Sequence, residues 1–471
     1  MQYSAPVDDF RRRQAHERAV ERVSAVLETH LNAYGYDRIE TPLVQNAELF
    51  LTKAGDQIMT RLFTFERGGQ ELALRPEFTA SAAQLYVSHY PNGGAVTRWQ
   101  FHGHVFEDDS ASLEHFERYT VGAELIGEAG PAFDAEIIAM AAHGLQKLGV
   151  HDATVTIGNV QLLRSLLAQY HLDTRIQRFV LSHVNELHNP AQGVSYVMVL
   201  IDELLLGVQS EVDPSLAQAD IEPQSVQDTQ YILDVLLDAT QHGITMGSRT
   251  RHDIVRRLLQ KRQRAAERPQ IAAAVEFLAR YSAIEGDAET VFAELETLID
   301  AEDSRSRQIL RNWRAVIDLL GIYGLSSHQI RLRPALMRNW DYYTGLLFDL
   351  HAHNTIRLGG GGRYDELARL IGGNTDIPSV GFVYYADTLA EILPVPPALP
   401  CLKLGAEPMA SFPVAIEWAE RLRAGGVFIE LRTDGSGDLT VAPNGALRYQ
   451  TTLYTADQAA DILQLLTGNR S

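Results

Sequence analysis

The sequence has little of three things that would point to particular classes of protein. It contains one cysteine, Cys401, among 471 residues, so an internal disulfide is excluded and a reducing compartment is expected. No motif surrounds this thiol, and we expect a small, partly buried side chain. The apolar stretch 197–206 contains two carboxylates and is far shorter than the roughly 20 residues of a membrane span. We therefore expect a cytoplasmic protein without a membrane partner.

Basic residues are also scarce. Lysine and arginine number 41 against 60 acidic residues, which gives a formal net charge of -19 at pH 7. A field of this sign repels nucleic acid unless basic residues are gathered on one face. The basic amphipathic segment 251–268 is interpreted as a solvated helix face, because acidic neighbours are plentiful. We expect no nucleic-acid partner.

The length of the chain predicts more than one domain. We expect a core domain over residues 1–393, interrupted by a mostly helical insertion at 161–321, because the strands on both sides of the insertion have the same character. A proline-rich linker at 394–400 then leads to a small α/β domain at 401–471.

Apolar spacing predicts the elements of the core. A long amphipathic helix extends from Asp9 to Tyr34. Residues 35–44 are predicted to hold a helix stop and then a strand that carries Pro42, which excludes a central position and favours a sheet edge. A helix at 79–89 precedes two antiparallel strands at 96–106 and 117–126. The core is thus predicted to be an α+β fold.

Two local patterns resemble binding motifs, one for phosphate and one for a metal ion. The glycines at 359–362 are not followed by Lys-Ser or Lys-Thr, so a Walker-type phosphate loop is rejected. A close backbone approach to a ligand and a plain hairpin turn both remain open for these glycines. His102 and His104 share a strand face, yet a third ligand at matching spacing is missing. We predict neither a metal site nor a cofactor.

Two stretches bring together residues suited to a small ligand. Residues 73–127 contain carboxylates and hydroxyls, and residues 338–345 place a cation, a carboxylate and two phenols just before a strand. An arginine can pair with the acid group of such a ligand, while the aromatic side chains surround an imidazole or another ring.

These motifs resemble those of class II aminoacyl-tRNA synthetases, and within them the histidyl branch. Residues 36–43 are similar to the dimer-forming first motif, and residues 74–80 to the opening of the second. Residues 338–345 and 360–365 resemble the two histidine-specific signatures. The resemblance covers about residues 9–393 and implies an antiparallel sheet flanked by helices.

The resemblance also implies a pocket for histidine. Glu77 and Thr79 would hold the α-amino group, and Thr120 stands where the family usually places a glutamine. The full set of implied histidine-binding residues is Glu77, Thr79, Thr120, Glu124, Arg338, Tyr343 and Tyr364.

Two departures from the family pattern concern ATP. Active synthetases hold the α- and γ-phosphates with two arginines, whereas this sequence has Glu107 and Thr388 at the matching positions. Loss of one such contact commonly costs about 3 kcal/mol in the transition state. The segment after Pro400 carries six basic and eight acidic residues and offers no evident anticodon surface. We therefore expect a protein without catalytic residues.

A catalytically silent branch of this family shows the same pattern, the regulatory subunits of ATP phosphoribosyltransferase. Residues 121–127 and 343–348 resemble that branch more than the synthetases. The resemblance implies a homodimer that assembles with a short catalytic phosphoribosyltransferase subunit into a hetero-oligomer and makes the first step of histidine biosynthesis sensitive to histidine. Two alternatives stay open: a working histidyl-tRNA synthetase, and a synthetase-derived sensor of tRNA or histidine.

Overall fold

The computed structural model describes most of the chain, in two compact units, Met1–Pro394 and Val395–Ser471. The described residues are 6–51, 61–108, 116–188, 193–206, 268–338, 342–353, 355–394, 401–406, 411–433 and 435–468. The predicted linker lies at the boundary between the units, and its residues 395–400 are outside the described ones. The predicted basic helix is also outside them, apart from Arg268.

The first unit combines strands and helices along its whole length. Its strands are β1 (Asp37–Arg38), β2 (Val44–Asn46), β3 (Thr64–Arg67), β4 (Gln70–Leu74), β5 (Thr97–Phe106), β6 (Glu117–Ile126), β7 (Thr154–Asn159), β8 (Ile330–Leu332), β9 (Leu346–Ala352), β10 (Ile356–Arg363) and β11 (Ser379–Tyr385). Its helices are α1 (Pro6–Ala33), α2 (Glu48–Leu51), α3 (Thr79–His89), α4 (Pro131–Lys147), α5 (Val160–Leu167), α6 (Thr174–Ser182), α7 (Val184–His188), α8 (Gly193–Leu206), α9 (Arg268–Ser282), α10 (Ala288–Leu298), α11 (Ser304–Ile322), α12 (Leu367–Leu370) and α13 (Ala386–Ile392).

Eight strands form the central sheet, in the order β1-β5-β6-β11-β10-β9-β7-β8. Neighbouring strands are antiparallel, except for the parallel pairs β1–β5 and β7–β8 at the two edges. Val121, Ala123 and Leu125 of β6 belong to the main core together with residues of α1 and α4. Because side chains alternate along a strand, the intervening residues of β6 face the opposite side. The predicted α+β fold with helices flanking an antiparallel sheet is confirmed.

The segment predicted as one edge strand is divided between two sheets. β1 lies at the edge of the central sheet, as predicted, but β2 pairs with β4 in a separate three-stranded sheet of order β2-β4-β3. The prediction of one strand after the helix stop is therefore wrong. Pro42 lies between β1 and β2, and a proline cannot donate the hydrogen bond that would continue a ladder.

The four consecutive glycines lie inside β10, so the hairpin turn considered for them is wrong. β10 is paired on both sides, with β9 and β11. A Cβ atom on Gly361 would overlap the backbone of Gly381 and Phe382. The glycines therefore let neighbouring strands approach closely in the middle of the sheet.

The described residues between β7 and β8 are largely helical. Four of these helices begin after a side chain that accepts a hydrogen bond from a backbone N–H of the first turn, which is typical of an N-cap. The four capping residues are Asn159, Asp173, Asp287 and Asp303. In the apolar helix α8, Val197 is buried but Val199 is exposed, so this helix is half-buried. No helix within the described residues is both long and apolar enough to cross a membrane.

The second unit is a small α/β domain with its own core. Its elements are β12 (Leu402–Ala406), α14 (Phe412–Ala424), β13 (Ile429–Arg432), β14 (Leu439–Val441), β15 (Leu447–Tyr449), β16 (Thr452–Tyr454) and α15 (Ala459–Gly468). The sheet order is β13-β12-β14-β15-β16, and Trp418 of α14 is buried against it. Cys401 is exposed, contrary to the prediction, because it directly precedes β12.

Candidate ligand-binding site

A cavity of about 130 Å³ lies at the start of α3 and along β6, β10 and β11. Its walls include side chains from widely separated parts of the sequence. Six of the seven predicted histidine-binding residues line it: Glu77, Thr79, Thr120, Arg338, Tyr343 and Tyr364. The structure therefore brings together the two stretches that the sequence motifs single out.

The seventh predicted residue, Glu124, lies behind two lining residues, Thr79 and Tyr364, and does not line the cavity itself. Together with Glu77 it defines what we call the acid end of the site. The side chain of Glu124 is fully buried. One carboxylate oxygen accepts a hydrogen bond from Thr79 Oγ1 at 2.7 Å, and the other accepts one from the Tyr364 hydroxyl at 2.5 Å. Gly381 lies opposite Glu124 on β11, and a Cβ atom there would overlap the carboxylate. A residue with a side chain at position 381 would displace Glu124.

Glu77 is the second carboxylate at the acid end. It precedes α3 and accepts hydrogen bonds from the backbone N–H groups of Thr79 and Ala80, the latter at 2.8 Å. Burial raises the pKa of Glu77 to about 7. Burial also raises the pKa of Glu124 to about 8, and the nearby charge of Glu77 acts in the same direction. A buried pair of this kind can exchange protons for a ligand's cation.

Three tyrosines form an aromatic wall beside this acid end. The ring centroids of Tyr342 and Tyr343 are 4.8 Å apart, and those of Tyr342 and Tyr364 are 5.9 Å apart. Tyr342 is almost fully buried and also lines the cavity. The sequence motifs predict Tyr343 and Tyr364 as site residues. Tyr342 is not predicted, although it lies in the same motif as Tyr343.

Arg338 forms the basic end of the site. Its side chain is 9% exposed, and its Nε lies 3.9 Å from Asp349 Oδ1. Among the described residues, its buried Nη1 has no hydrogen-bond partner. A Cβ atom on Gly360 would lie 3.0 Å from this nitrogen, so glycine leaves the surrounding space open. An unpaired buried guanidinium N–H is suited to an anionic group of a ligand.

Arg118 and Tyr385 also line the cavity, and the sequence reasoning missed both. The period of two along β6 could have found Arg118, because it places this residue on the same face as Thr120 and Glu124. Tyr385 lies opposite Thr120 on β11. Its position depends on strand pairing, which the sequence does not show.

Glu107 and Thr388, which stand where active synthetases have phosphate-binding arginines, lie in different surroundings. Glu107 lines the cavity and forms an ion pair with Arg61, with 3.2 Å between Arg61 Nη1 and Glu107 Oε1. Thr388 is a half-buried residue of α13 and is not among the residues that line the cavity.

Arg363 supports the site from behind. Its Nε donates a hydrogen bond to Asp134 Oδ1 at 2.8 Å, and its Nη1 donates one to Asp365 Oδ1 at 3.0 Å. Asp365 Oδ1 also accepts a hydrogen bond from the backbone N–H of Ser379 at 2.9 Å. Both neighbours of Tyr364 in the sequence are thus held in place, which restricts its hydroxyl to the position beside Glu124.

His102 and His104 lie on β5, with partners of their own. His102 Nδ1 is 2.7 Å from the hydroxyl of Tyr119, and His104 Nδ1 is 3.4 Å from Glu117 Oε2. Within the part of the chain that the structure describes, no three His, Cys, Asp or Glu side chains are arranged to hold a metal ion.

Comparison with known proteins identifies two groups of relatives. The chain is 28% identical to an ATP phosphoribosyltransferase regulatory subunit of Sinorhizobium medicae over 365 residues, which is 75% of this chain and 92% of the relative. It is 24% identical to a histidine–tRNA ligase of Thermococcus kodakarensis over 400 residues, 82% of this chain and 72% of the relative.

Solved structures show the same fold. One from Bacillus halodurans, described as an ATP phosphoribosyltransferase regulatory subunit/histidyl-tRNA synthetase, matches with a TM-score of 0.61 and 21% identity over 88% of this chain and 89% of that one. A histidyl-tRNA synthetase from Nostoc sp. PCC 7120 also gives a TM-score of 0.61, with 16% identity over 99% of this chain and 100% of that one.

The family model of histidyl-tRNA synthetase matches residues 8–191 and 229–389. These two ranges include all seven predicted site residues and well over half of the chain. The chain therefore belongs to the histidyl-tRNA synthetase family.

Proposed function

We propose that this protein binds histidine and is a non-catalytic regulatory subunit of ATP phosphoribosyltransferase. The observation that carries the proposal is the cavity with Glu77 and Glu124 at one end and the unpaired Nη1 of Arg338 at the other. A free amino acid has an ammonium group and a carboxylate that suit these two ends. The tyrosine wall between them suits an imidazole ring.

The lack of catalysis is inferred from Glu107. A polyphosphate bound at this side of the cavity would meet a carboxylate, where an active synthetase needs a cation to stabilise the charge of the transition state. Arg61 holds this carboxylate and offsets part of its charge, and its own guanidinium group is engaged in that ion pair. The net charge of -19 disfavours tRNA binding as well.

The partner is inferred from relatives named as regulatory subunits, whose length this chain covers almost completely. We infer a cytoplasmic homodimer that assembles with a short catalytic phosphoribosyltransferase subunit. Histidine bound in the cavity would shift the assembly towards an inactive state. The size of the shift is set by the difference between its affinities for the active and the inactive state.

The test is purification of this chain together with the short catalytic subunit, followed by phosphoribosyltransferase assays with and without histidine. We expect a stable complex whose activity histidine lowers. In a complex carrying Arg338→Gln, histidine should lose this effect, whereas Arg314→Gln, in α11 and not among the residues that line the cavity, should leave it intact. Histidine-dependent ATP–pyrophosphate exchange by the purified chain would instead establish a working synthetase, and failure of the two subunits to associate would refute the proposed partner.

A further inference from the structure

Tyr385 is surrounded by three arginines that come from different strands or loops. The guanidinium carbon of Arg118 lies 4.6 Å from the centroid of its ring, and that of Arg357 lies 5.9 Å from it. Arg338 Nη2 is 3.5 Å from its hydroxyl oxygen. Arg118, Arg338 and Tyr385 all line the cavity, whereas Arg357 does not.

The carboxylates near this cluster are largely engaged by other groups. Asp349 is bonded to Arg357, with Oδ1 2.6 Å from Nη2 and 3.1 Å from Nε. Glu107 is paired with Arg61, and Glu117 lies beside His104. Arg118 itself has no side-chain hydrogen bond or ion pair to any residue of the described ranges. Among the described residues, Arg118 and Arg338 thus present guanidinium N–H groups at this rim that no carboxylate accepts from.

Stacking on Tyr385 orients Arg118 without using its hydrogen-bond donors. A guanidinium group above an aromatic face keeps its N–H groups free to bind an oxyanion at the edge of its plane. Three guanidinium groups also favour the ionised phenol, and although burial acts in the opposite direction, the pKa of Tyr385 is lowered. A lowered pKa makes the hydroxyl a better hydrogen-bond donor.

We propose that Arg118 and Tyr385, together with Arg338, form a subsite for a free oxyanion at the rim of the cavity. This inference rests on the proposed function and deepens it: the oxyanion is the carboxylate of the bound amino acid. Arg118 and Tyr385 make the site select amino acids with a free carboxylate over amides in which this group is neutral.

The test compares L-histidine with L-histidinamide, which keeps the ammonium and the imidazole but has no carboxylate. Titration calorimetry measures both affinities for the wild type and for Arg118→Gln, Arg118→Lys and Tyr385→Phe. We expect Arg118→Gln to weaken histidine binding about tenfold and to leave histidinamide binding unchanged. Arg118→Lys should recover part of the loss, because it restores the charge without the fork-shaped geometry.

The matched control is Arg314→Gln, because Arg314 of α11 also stacks at 4.6 Å on an aromatic ring, that of Phe292 in α10. It should leave the ratio of the two affinities unchanged. An unchanged ratio in Arg118→Gln as well would overturn the subsite while the histidine site stands.

A second probe separates the subsite from the amino-acid site. Inorganic phosphate should raise the melting temperature of the wild type, and Arg118→Gln should remove this effect. If histidine does not bind but phosphate stabilises the protein through Arg118, the histidine proposal fails and the oxyanion subsite stands. If neither ligand binds, both proposals are refuted.

Discussion

The two ends of the cavity are built in opposite ways. At the acid end, the carboxylates of Glu77 and Glu124 are buried, and their oxygens already accept hydrogen bonds. At the basic end, Arg338 has a nitrogen without a partner in the described structure, and Arg118 is exposed. The acid end is therefore organised without a ligand, whereas the basic end keeps a donor that no described residue uses. Under the proposed function, the acid end must lose protons to hold the ammonium group, and the basic end gains a partner when the ligand binds.

The largest expected effect is on the support of the acid end. Arg363→Met would leave the buried carboxylate of Asp134 without the guanidinium that pairs with it. We expect a loss of about 3–5 kcal/mol in the free energy of unfolding, measured by urea denaturation, because an unpaired buried charge is strongly destabilising.

The matched control for Arg363 is Arg369→Met, which removes an exposed ion pair to Asp376. That pair has a short Nε to Oδ1 distance of 2.6 Å, yet its removal should cost less than about 1 kcal/mol, since water screens it. Equal losses in the two variants would show that the buried pair has no special role at the acid end.

The next effect concerns the charge of the acid end. Glu124→Gln keeps the size of the side chain and one acceptor oxygen for Thr79 or Tyr364, but it removes the negative charge. We expect histidine affinity, measured by calorimetry, to fall on the order of 100-fold while the fold is kept. Glu296→Gln removes a surface carboxylate and should change nothing. Unchanged affinity in Glu124→Gln would assign the ammonium group to Glu77 alone.

The raised pKa values of Glu77 and Glu124 predict that binding depends on pH. An ammonium group binds the ionised carboxylates, so protons compete with it below about pH 7 to 8. We expect affinity for histidine to rise about tenfold between about pH 6 and 8, with release of protons. Calorimetry in two buffers of different ionisation enthalpy measures this release. Because the imidazole of the ligand titrates in the same range, the comparison is with Glu124→Gln, in which the release should be smaller.

The same groups predict the opposite trend for the stability of the ligand-free protein. Their folded pKa values lie above the ordinary value of 4.5, so the folded state binds protons more tightly than the unfolded state. Their contribution is complete below about pH 4.5 and is lost as pH rises through about 7 and 8. Urea denaturation between about pH 5 and 8 should show this decrease, and Glu124→Gln should make it shallower.

The smallest expected effect is at the ion pair of Arg61 and Glu107. Arg61 and Glu107 are 35% and 43% exposed, so Arg61→Gln should lower the free energy of unfolding by less than about 1 kcal/mol. Histidine affinity should change less than about twofold, because the pair lies outside the two ends that are proposed to bind the amino acid. A tenfold change by calorimetry would instead place Glu107 in contact with the ligand.

Elements with regular side-chain periods could be predicted from the sequence. Helix α3 and strand β6 occupy the predicted residues, since their apolar and polar positions recur at the period of one kind of element. The glycines of β10 could not be placed, because a run without side chains has no period and fits a turn as well as a tightly packed strand. The boundary between β1 and β2 could not be predicted either, because strands of two and three residues are too short to show a period of their own.

Within the site, the family motifs identified residues that are close in the sequence, such as Glu77 and Thr79, or that belong to the two histidine signatures, such as Arg338 and Tyr364. Arg118 and Tyr385 lie outside these motifs, and their contact depends on the antiparallel register of β6 and β11. Local sequence patterns carry no information about that register.

The sequence alone determined the fold class, the family and most of the side chains around the cavity, because periodicity and short motifs are properties of neighbouring residues. Only the tertiary structure decided how they act. It buried Glu77 and Glu124 together and so raised the pKa of both, and it left Arg338 with an open donor. It also stacked Arg118 on Tyr385. Burial and charge pairing arise between residues far apart in the chain, so they exist only once the strands have assembled.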